Sequence, residues 1–291
     1  MNSKFYNALN EFMEKEDVKT EEEYEKKLQE FMQKYNAGEI EYTKTPLDEA
    51  YEILEKAENS KSEKQALKYA KQAYEKCPEC FDAIIFQVTL EEEPTKKLAL
   101  LEKGLEIEKE RLKKEGFFDK ESIGKFYGLF EARPYMRGLD VKANLLIVEG
   151  KMRQAIDVCH EMMRLNNNDN MGARYMLMAL YAFLEDEKEL LKLYKKYPEE
   201  HLEVLFPMFV LYYKQGNDAK AKEYLDRINK ANPHFIKLFK GTIKENKDMP
   251  LGYHSKGDSS EVLMYFMNYT FLIATMNTID SYILKNSKKS K

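Results

Sequence analysis

The chain has little of what builds disulfide frameworks, sheets or turns. Its 291 residues include no tryptophan, 3 cysteines, 12 glycines and 8 prolines. Three cysteines are too few for a disulfide framework in a chain of this size, so we expect a reducing, cytoplasmic compartment. The N-terminal sequence also lacks the basic-then-apolar pattern of a secretion signal. With 34% charged and 43% hydrophobic residues, this composition favours helices.

Charge and hydrophobic runs exclude two further classes of partner. The formal net charge of −4 argues against a nucleic-acid binder, which needs clustered Lys and Arg. The longest nearly apolar run, 263–276, contains Asn268 and Thr270 and is shorter than the roughly 20 residues of a membrane helix. We expect no membrane partner and interpret 258–291 as a C-terminal capping helix, starting at Asp258, with a disordered basic tail.

A pattern of small and apolar residues recurs three times between residues 46 and 257. Each copy has an apolar residue four and seven positions after its first alanine and a turn residue twelve positions after it. These sets are Ala66, Ala70, Ala73 and Pro78; Ala155, Cys159, Met162 and Asn167; and Ala221, Leu225, Ile228 and Pro233. The positions sixteen, twelve and nine before each first alanine are Ala50, Leu54 and Ala57; Leu139, Ala143 and Leu146; and Leu205, Phe209 and Tyr212. We interpret each copy as two antiparallel helices in close contact.

The remaining segments fit around these hairpins. The central hairpin, 131–170, begins its first helix at Pro134 and ends it near Gly150. Degenerate copies are predicted at 81–112 and 172–198, with an irregular insertion near 113–130. A helix following Thr20, with Glu23 as its capping-box partner, belongs to a predicted N-terminal helical cap over 1–45.

The recurring pattern resembles the tetratricopeptide repeat (TPR), whose period is about 34 residues. The runs GKFYGLFEARPYMR, LNNNDNMGARYMLM, NPHF and GDSSEVLMYF also resemble, in this order, a bacterial TPR family of unassigned function. They are more distantly similar to the suppressor-of-tumorigenicity seven proteins. The chain differs from the family motifs at Tyr127, Ala132, Asn167 and Met171, where the family has Trp, Thr, Pro and Gln. The resemblance implies an all-α, right-handed α-α superhelix of TPR-like helical hairpins that binds other proteins.

Residues that could support catalysis or metal binding are sparse. Cys77-Pro-Glu-Cys80 is the one candidate redox or zinc motif, but zinc needs four ligands and no strand precedes the motif. Pro78 is already explained as a turn residue of the repeat. The four histidines form no HExxH pattern, and no glycine-rich phosphate loop is present. We therefore expect no cofactor, no metal and no catalytic residue; an enzyme would rest on this cysteine pair alone.

The TPR resemblance also implies which residues line a concave groove. In such arrays the second, fifth, ninth, twelfth and thirteenth positions of a first helix face the groove. With Ala155 aligned to position twenty, the groove set of this chain is Tyr51, Arg137, Asp140, Asn144, Met171, Arg174, Met178, Tyr181, Phe206, Tyr213 and Lys214. A guanidinium group binds a carboxylate through two parallel hydrogen bonds. The cations of this set, Arg137, Arg174 and Lys214, therefore predict a peptide or protein ligand that carries a carboxylate. In the alternative interpretation, Arg137 and Arg174 pair with Asp140 and Asp169 and hold the hairpins in register.

Two functions remain open at this stage. The first is a cytoplasmic adaptor or scaffold module that binds a protein segment in its groove. The alternative is a structural subunit that self-associates or docks on a larger assembly through its apolar C-terminal helix. In that case residues 261–285 would form a homodimer contact that includes Phe266 and Phe271.

Overall fold

A computed structural model describes residues 8–9, 11–13, 20–40, 44–245, 253–274 and 276–287. Within these residues the chain is all-α, as predicted, and its helices pack mostly as sequential antiparallel pairs. It divides into two compact units, Met1–Phe117 and Phe118–Lys291. No helix in the described ranges is both long enough and apolar enough to cross a membrane.

Five helices of the first unit lie between residues 21 and 114. They are α1 (Glu21–Asn36), α2 (Pro46–Glu58), α3 (Glu63–Lys76), α4 (Asp82–Leu90) and α5 (Pro94–Lys114). The predicted capping box at the start of α1 is confirmed, because the Glu23 amide donates to the Thr20 hydroxyl and the Thr20 amide donates to the Glu23 carboxylate, both at 3.2 Å. Residues 1–7, 10, 14–19 and 41–43 of the predicted cap lie outside the described residues.

The second unit begins with three helical pairs. They are α6 (Arg133–Val148) with α7 (Met152–Leu165), α8 (Ala173–Leu184) with α9 (Glu187–Lys196), and α10 (Leu202–Lys214) with α11 (Asp218–Ala231). The C-terminal segment adds α12 (Phe235–Phe239), α13 (Ser259–Asn268) and α14 (Ile279–Asn286). Short 3-10 helices lie at Phe126–Gly128, Phe130–Ala132 and Thr270–Leu272.

The three clear hairpins form where the alanine pattern predicts them. They are α2 with α3, α6 with α7, and α10 with α11. All eighteen apolar positions predicted for their contacts are buried. Gly150 takes the left-handed conformation, with φ at 71°, that ends the first helix of the central pair. Small residues such as Ala143 and Ala155, both fully buried, allow the paired helices to approach closely.

The segments between these hairpins follow the predictions less regularly. The pairs α4–α5 and α8–α9 occupy the two degenerate copies. The insertion is an irregular loop that holds the turn before α8: the Asn167 amide donates to the Gly124 carbonyl at 2.8 Å. A Cβ on Gly124 would meet the Asn167 side chain, and its φ of +91° also favours glycine.

The apolar C-terminal run is not one helix. Asp258 caps α13 by accepting the Ser260 amide at 2.9 Å, but α13 ends at Asn268 and a 3-10 turn follows. The segment packs on α10 and α12. The basic tail, from residue 288 onwards, lies outside the described residues.

Candidate functional site

Ten of the eleven predicted groove residues lie in the second unit, on α6, α8 and α10 or in the turn before α8. Tyr51 belongs to the first unit, where it is half-buried and its hydroxyl donates to the Asp82 carboxylate at 2.9 Å. Met171 is half-buried in the turn before α8, and Arg137 is half-buried on α6.

Arg174 is held by residues of its own unit. Its guanidinium forms ion pairs with Asp169 at 2.9 Å and Glu199 at 3.2 Å and lies over the Tyr175 ring, 4.1 Å from the centroid. Asp169 also accepts the backbone amides of Ala173 and Arg174, which stabilises the start of α8. The Arg174–Asp169 pair of the register interpretation is therefore present.

Lys214 is also neutralised within the chain. Its ammonium is 3.2 Å from a Glu185 carboxylate oxygen and donates to the carbonyl of Phe183. It lies over the Phe183 ring as well, 5.4 Å from the centroid. A carboxylate ligand at Lys214 would have to compete with these contacts.

Four apolar and aromatic members of the predicted groove are buried or covered. Met178 and Phe206 are fully buried, and the Tyr181 hydroxyl forms a 2.8 Å hydrogen bond with His160. The Tyr213 hydroxyl forms a 2.6 Å hydrogen bond with Thr278. These contacts are made inside the folded second unit, so the four side chains are occupied by their own chain.

The C-terminal segment covers Phe206 and Tyr213 on α10. The Phe206 ring packs edge-on against Tyr265 and Phe266, with centroid distances of 5.5 and 5.0 Å, and Tyr213 packs against Tyr282 at 5.0 Å. The TPR resemblance predicted that Phe206 and Tyr213 line an open groove. The repeat positions that face the groove give no information about a segment that follows the repeats and covers them.

Phe266 and Phe271, the proposed homodimer residues, also have partners in this chain. Phe266 is 8% exposed and packs against Phe206, Phe235 and Phe239, while Phe271 packs against Phe183 with a centroid distance of 5.7 Å.

Asp140 and Asn144 are neighbouring groove residues on α6 that remain accessible. Asp140 is half-buried and Asn144, one turn later on α6, is exposed. The Asn144 amide nitrogen donates to the Asp140 backbone carbonyl at 2.9 Å. Within the described part of the chain, no side chain forms an ion pair or hydrogen bond with the Asp140 carboxylate. Burial raises the pKa of this carboxyl to about 6.

Two further groups lie near the Asp140 carboxylate. The Cys159 thiol, on α7, is fully buried, and burial together with the Asp140 and Asp169 carboxylates raises its pKa to about 12. The second group is the hydroxyl of Tyr269, the residue that directly follows α13. Burial and the carboxylates of Glu203 and Asp140 raise the pKa of Tyr269 above its ordinary value. Neither group is ionised near neutral pH, and neither supplies a positive charge.

A second polar cluster was not identified from the sequence. The His201 Nε2 donates to the Glu199 carboxylate at 2.8 Å, and the Tyr175 hydroxyl donates to the same carboxylate at 3.2 Å. Burial would raise the pKa of Glu199, but the hydrogen bond to His201 and the charge of Arg174 lower it to about 2. His201 Nδ1 is buried without a hydrogen-bond partner, 3.7 Å from Glu203. The acid-flanked histidine in EEHLE is the local signal that could have suggested it.

The described residues offer no metal centre. No group of three or more His, Cys, Asp or Glu side chains among them is arranged to hold a metal ion. Cys77, Cys80 and Cys159 are all buried and none is in a disulfide.

The motifs quoted for the family resemblance contact one another. The first run meets the second where Lys125 forms an isolated backbone bridge with Asn166. The third meets the fourth where the Asn232 side-chain amide donates to the Asp258 backbone carbonyl and to the Glu261 carboxylate, both at 2.8 Å. In this fold the motif residues therefore connect separate elements of the second unit.

Comparisons with known proteins give no assignment. No protein-family profile matches the chain. No curated protein sequence matches it either.

Proposed function

We propose that this chain is a non-enzymatic protein-interaction module built as a right-handed superhelix of TPR-like hairpins, a member of the bacterial TPR family it resembles. It binds a peptide segment of another protein along the face of α6 that carries Asp140 and Asn144, as an adaptor or scaffold. Its three buried cysteines, none of them in a disulfide, suit a reducing, cytoplasmic compartment.

The observation that carries this proposal is the combination of residues on one face of α6. Asp140, Asn144 and Val148, four residues apart, form the α6 ridge. Val148 is 77% exposed, Asn144 is exposed, and the partly desolvated Asp140 carboxylate lacks a partner among the described residues. An uncompensated buried charge costs stability, and such groups concentrate at functional sites.

The remainder of the predicted groove limits where a ligand can bind. Phe206 and Tyr213 are covered by the C-terminal segment, and Arg174 and Lys214 are engaged in ion pairs. A ligand on the α6 ridge requires none of these contacts to break. The ridge, rather than α10, is therefore the binding surface in this proposal.

Site-specific photocrosslinking tests the location. A benzophenone amino acid at Asn144 should crosslink a peptide ligand in native cells, whereas the same group at Gln154, exposed on neighbouring α7, should not. Crosslinks of equal yield at both positions would contradict a binding site on α6.

A further inference from the structure

The charges near the α6 ridge differ from those that a carboxylate ligand needs. Asp140 carries a carboxylate, and among the described residues the one hydrogen bond of the Asn144 side chain uses its amide nitrogen, which donates to the Asp140 carbonyl. The ridge therefore presents two kinds of acceptor oxygen, one on Asp140 and one on Asn144.

Two of the cations expected to attract a carboxylate, Arg174 and Lys214, already form ion pairs within this chain. Arg174 contacts two carboxylates, Asp169 and Glu199, and Lys214 contacts Glu185. An incoming carboxylate would have to displace one of these acids from a partly buried position. An incoming cation at Asp140 displaces no such partner, since the two groups beside that carboxylate, Cys159 and Tyr269, are neutral.

We infer that the α6 ridge binds a lysine or arginine side chain of a peptide segment, with Asp140 as its counter-ion and Asn144 as a second acceptor. The inference rests on the proposed function and specifies the ligand for the same surface. A charge-assisted hydrogen bond to a partly desolvated carboxylate is stronger than one in water, and the aliphatic stem of the bound side chain can pack on Val148.

Binding of three synthetic peptide pools tests this inference on the full chain. The peptides have roughly ten residues, enough to extend along the ridge. They are capped at both ends, carry a neutral dye, and have a fixed central Lys, Gln or Glu among randomised uncharged residues. Fluorescence anisotropy should show the Lys pool binding about tenfold tighter than the Gln pool, and the Glu pool weakest.

Matched variants separate the local charge from the overall charge. Asp140→Asn should reduce the preference for Lys to about twofold or less, since it removes the ionised acceptor. Asp157→Asn makes the same change at an exposed position on α7 and should preserve the preference. Asn144→Lys supplies a cation four residues from Asp140 and should abolish the preference by occupying the carboxylate. Because Asn144 is exposed, this variant also covers the case in which Asp140→Asn does not fold.

The outcomes distinguish the two proposals. If wild type binds all three pools equally, or prefers the Glu pool, the inferred cation is wrong while peptide binding stands. If no pool binds, the proposed function is itself contradicted. An equal loss of preference in Asp157→Asn would show that net charge, not the ridge, selects the ligand.

Discussion

At the residue scale, the environment of Asp140 conflicts with the charge of its side chain. Its carboxyl has an ordinary pKa of 3.8 and a pKa of about 6 in the folded chain, because burial disfavours the ionised form. Between these values the folded state binds more protons than the unfolded state. The contribution of Asp140 to stability is therefore most favourable at low pH and falls as pH rises through about 6.

The first prediction follows from this direction of the pH dependence. Asp140→Asn should raise the free energy of unfolding by about 1 kcal/mol at pH 8, a figure reduced for the partial exposure of the group, and by much less at pH 4. Urea unfolding at the two pH values measures the difference. If Asp140→Asn is destabilised at both pH values, Asp140 has a structural partner. That result would argue against the α6 ridge as a binding surface.

Ala155 illustrates a residue whose small size is required by packing. It is fully buried on α7, so Ala155→Leu should overpack the hairpin and lower the free energy of unfolding by about 1–3 kcal/mol. Gln154→Leu places the same side chain on the exposed face of the same helix and serves as the control. Equal melting temperatures for the two variants would contradict the assigned hairpin contact.

At the scale of elements, Glu261 connects three parts of the second unit. Its buried carboxylate accepts the Leu202 amide at the start of α10, at 3.0 Å, and the Gly257 amide before α13, at 2.7 Å. It also accepts the Asn232 side chain at the end of α11, at 2.8 Å. Since all three donors depend on one carboxylate, its loss leaves several polar groups unsatisfied.

Glu261→Gln should therefore lower the free energy of unfolding by about 2–4 kcal/mol, because the new amide places a donor where the site supplies only donors. Chemical denaturation followed by circular dichroism measures the change. The control Asp226→Asn, exposed on α11, should change it by less than about 0.5 kcal/mol. Similar small effects from both variants would show that Glu261 does not join these elements.

At the scale of the whole molecule, the C-terminal segment completes the second unit. Val262, Leu272, Ile279 and Ile283 are each at most 1% exposed. Phe266 lies among Phe206, Phe235 and Phe239, whereas its neighbour Met267 is 74% exposed. The segment contributes to the core of this unit rather than lying on its surface.

Phe266→Asp should consequently reduce amide hydrogen-exchange protection throughout 118–291, since it places a charge among aromatic rings, and should leave protection within 1–117 largely intact. Met267→Asp, an adjacent and exposed site, should change neither unit. If Phe266→Asp instead preserves protection and only dissociates a dimer, the assembly-subunit alternative is supported.

Local sequence was sufficient to predict the hairpins. The spacing of Ala155, Cys159 and Met162, the glycine at 150 and the capping box at Thr20 depend on interactions within a few residues. Helical periodicity, caps and small contact residues are encoded at that range. The C-terminal apolar run was predicted to cap the array, but its interruption after Asn268 was not.

Local sequence was not sufficient to predict which side chains of the candidate site are paired or covered. Whether Arg174 is available depends on Glu199, twenty-five residues away, and Phe206 is covered by Phe266, sixty residues later. The raised pKa of Asp140 reflects the burial of its carboxyl by the folded unit. Sequence by itself determined the helices of the three hairpins and which of their faces are apolar, because those properties are local. Only the tertiary structure decided which polar groups are paired, covered or left open, because desolvation and ion pairing depend on segments distant along the chain.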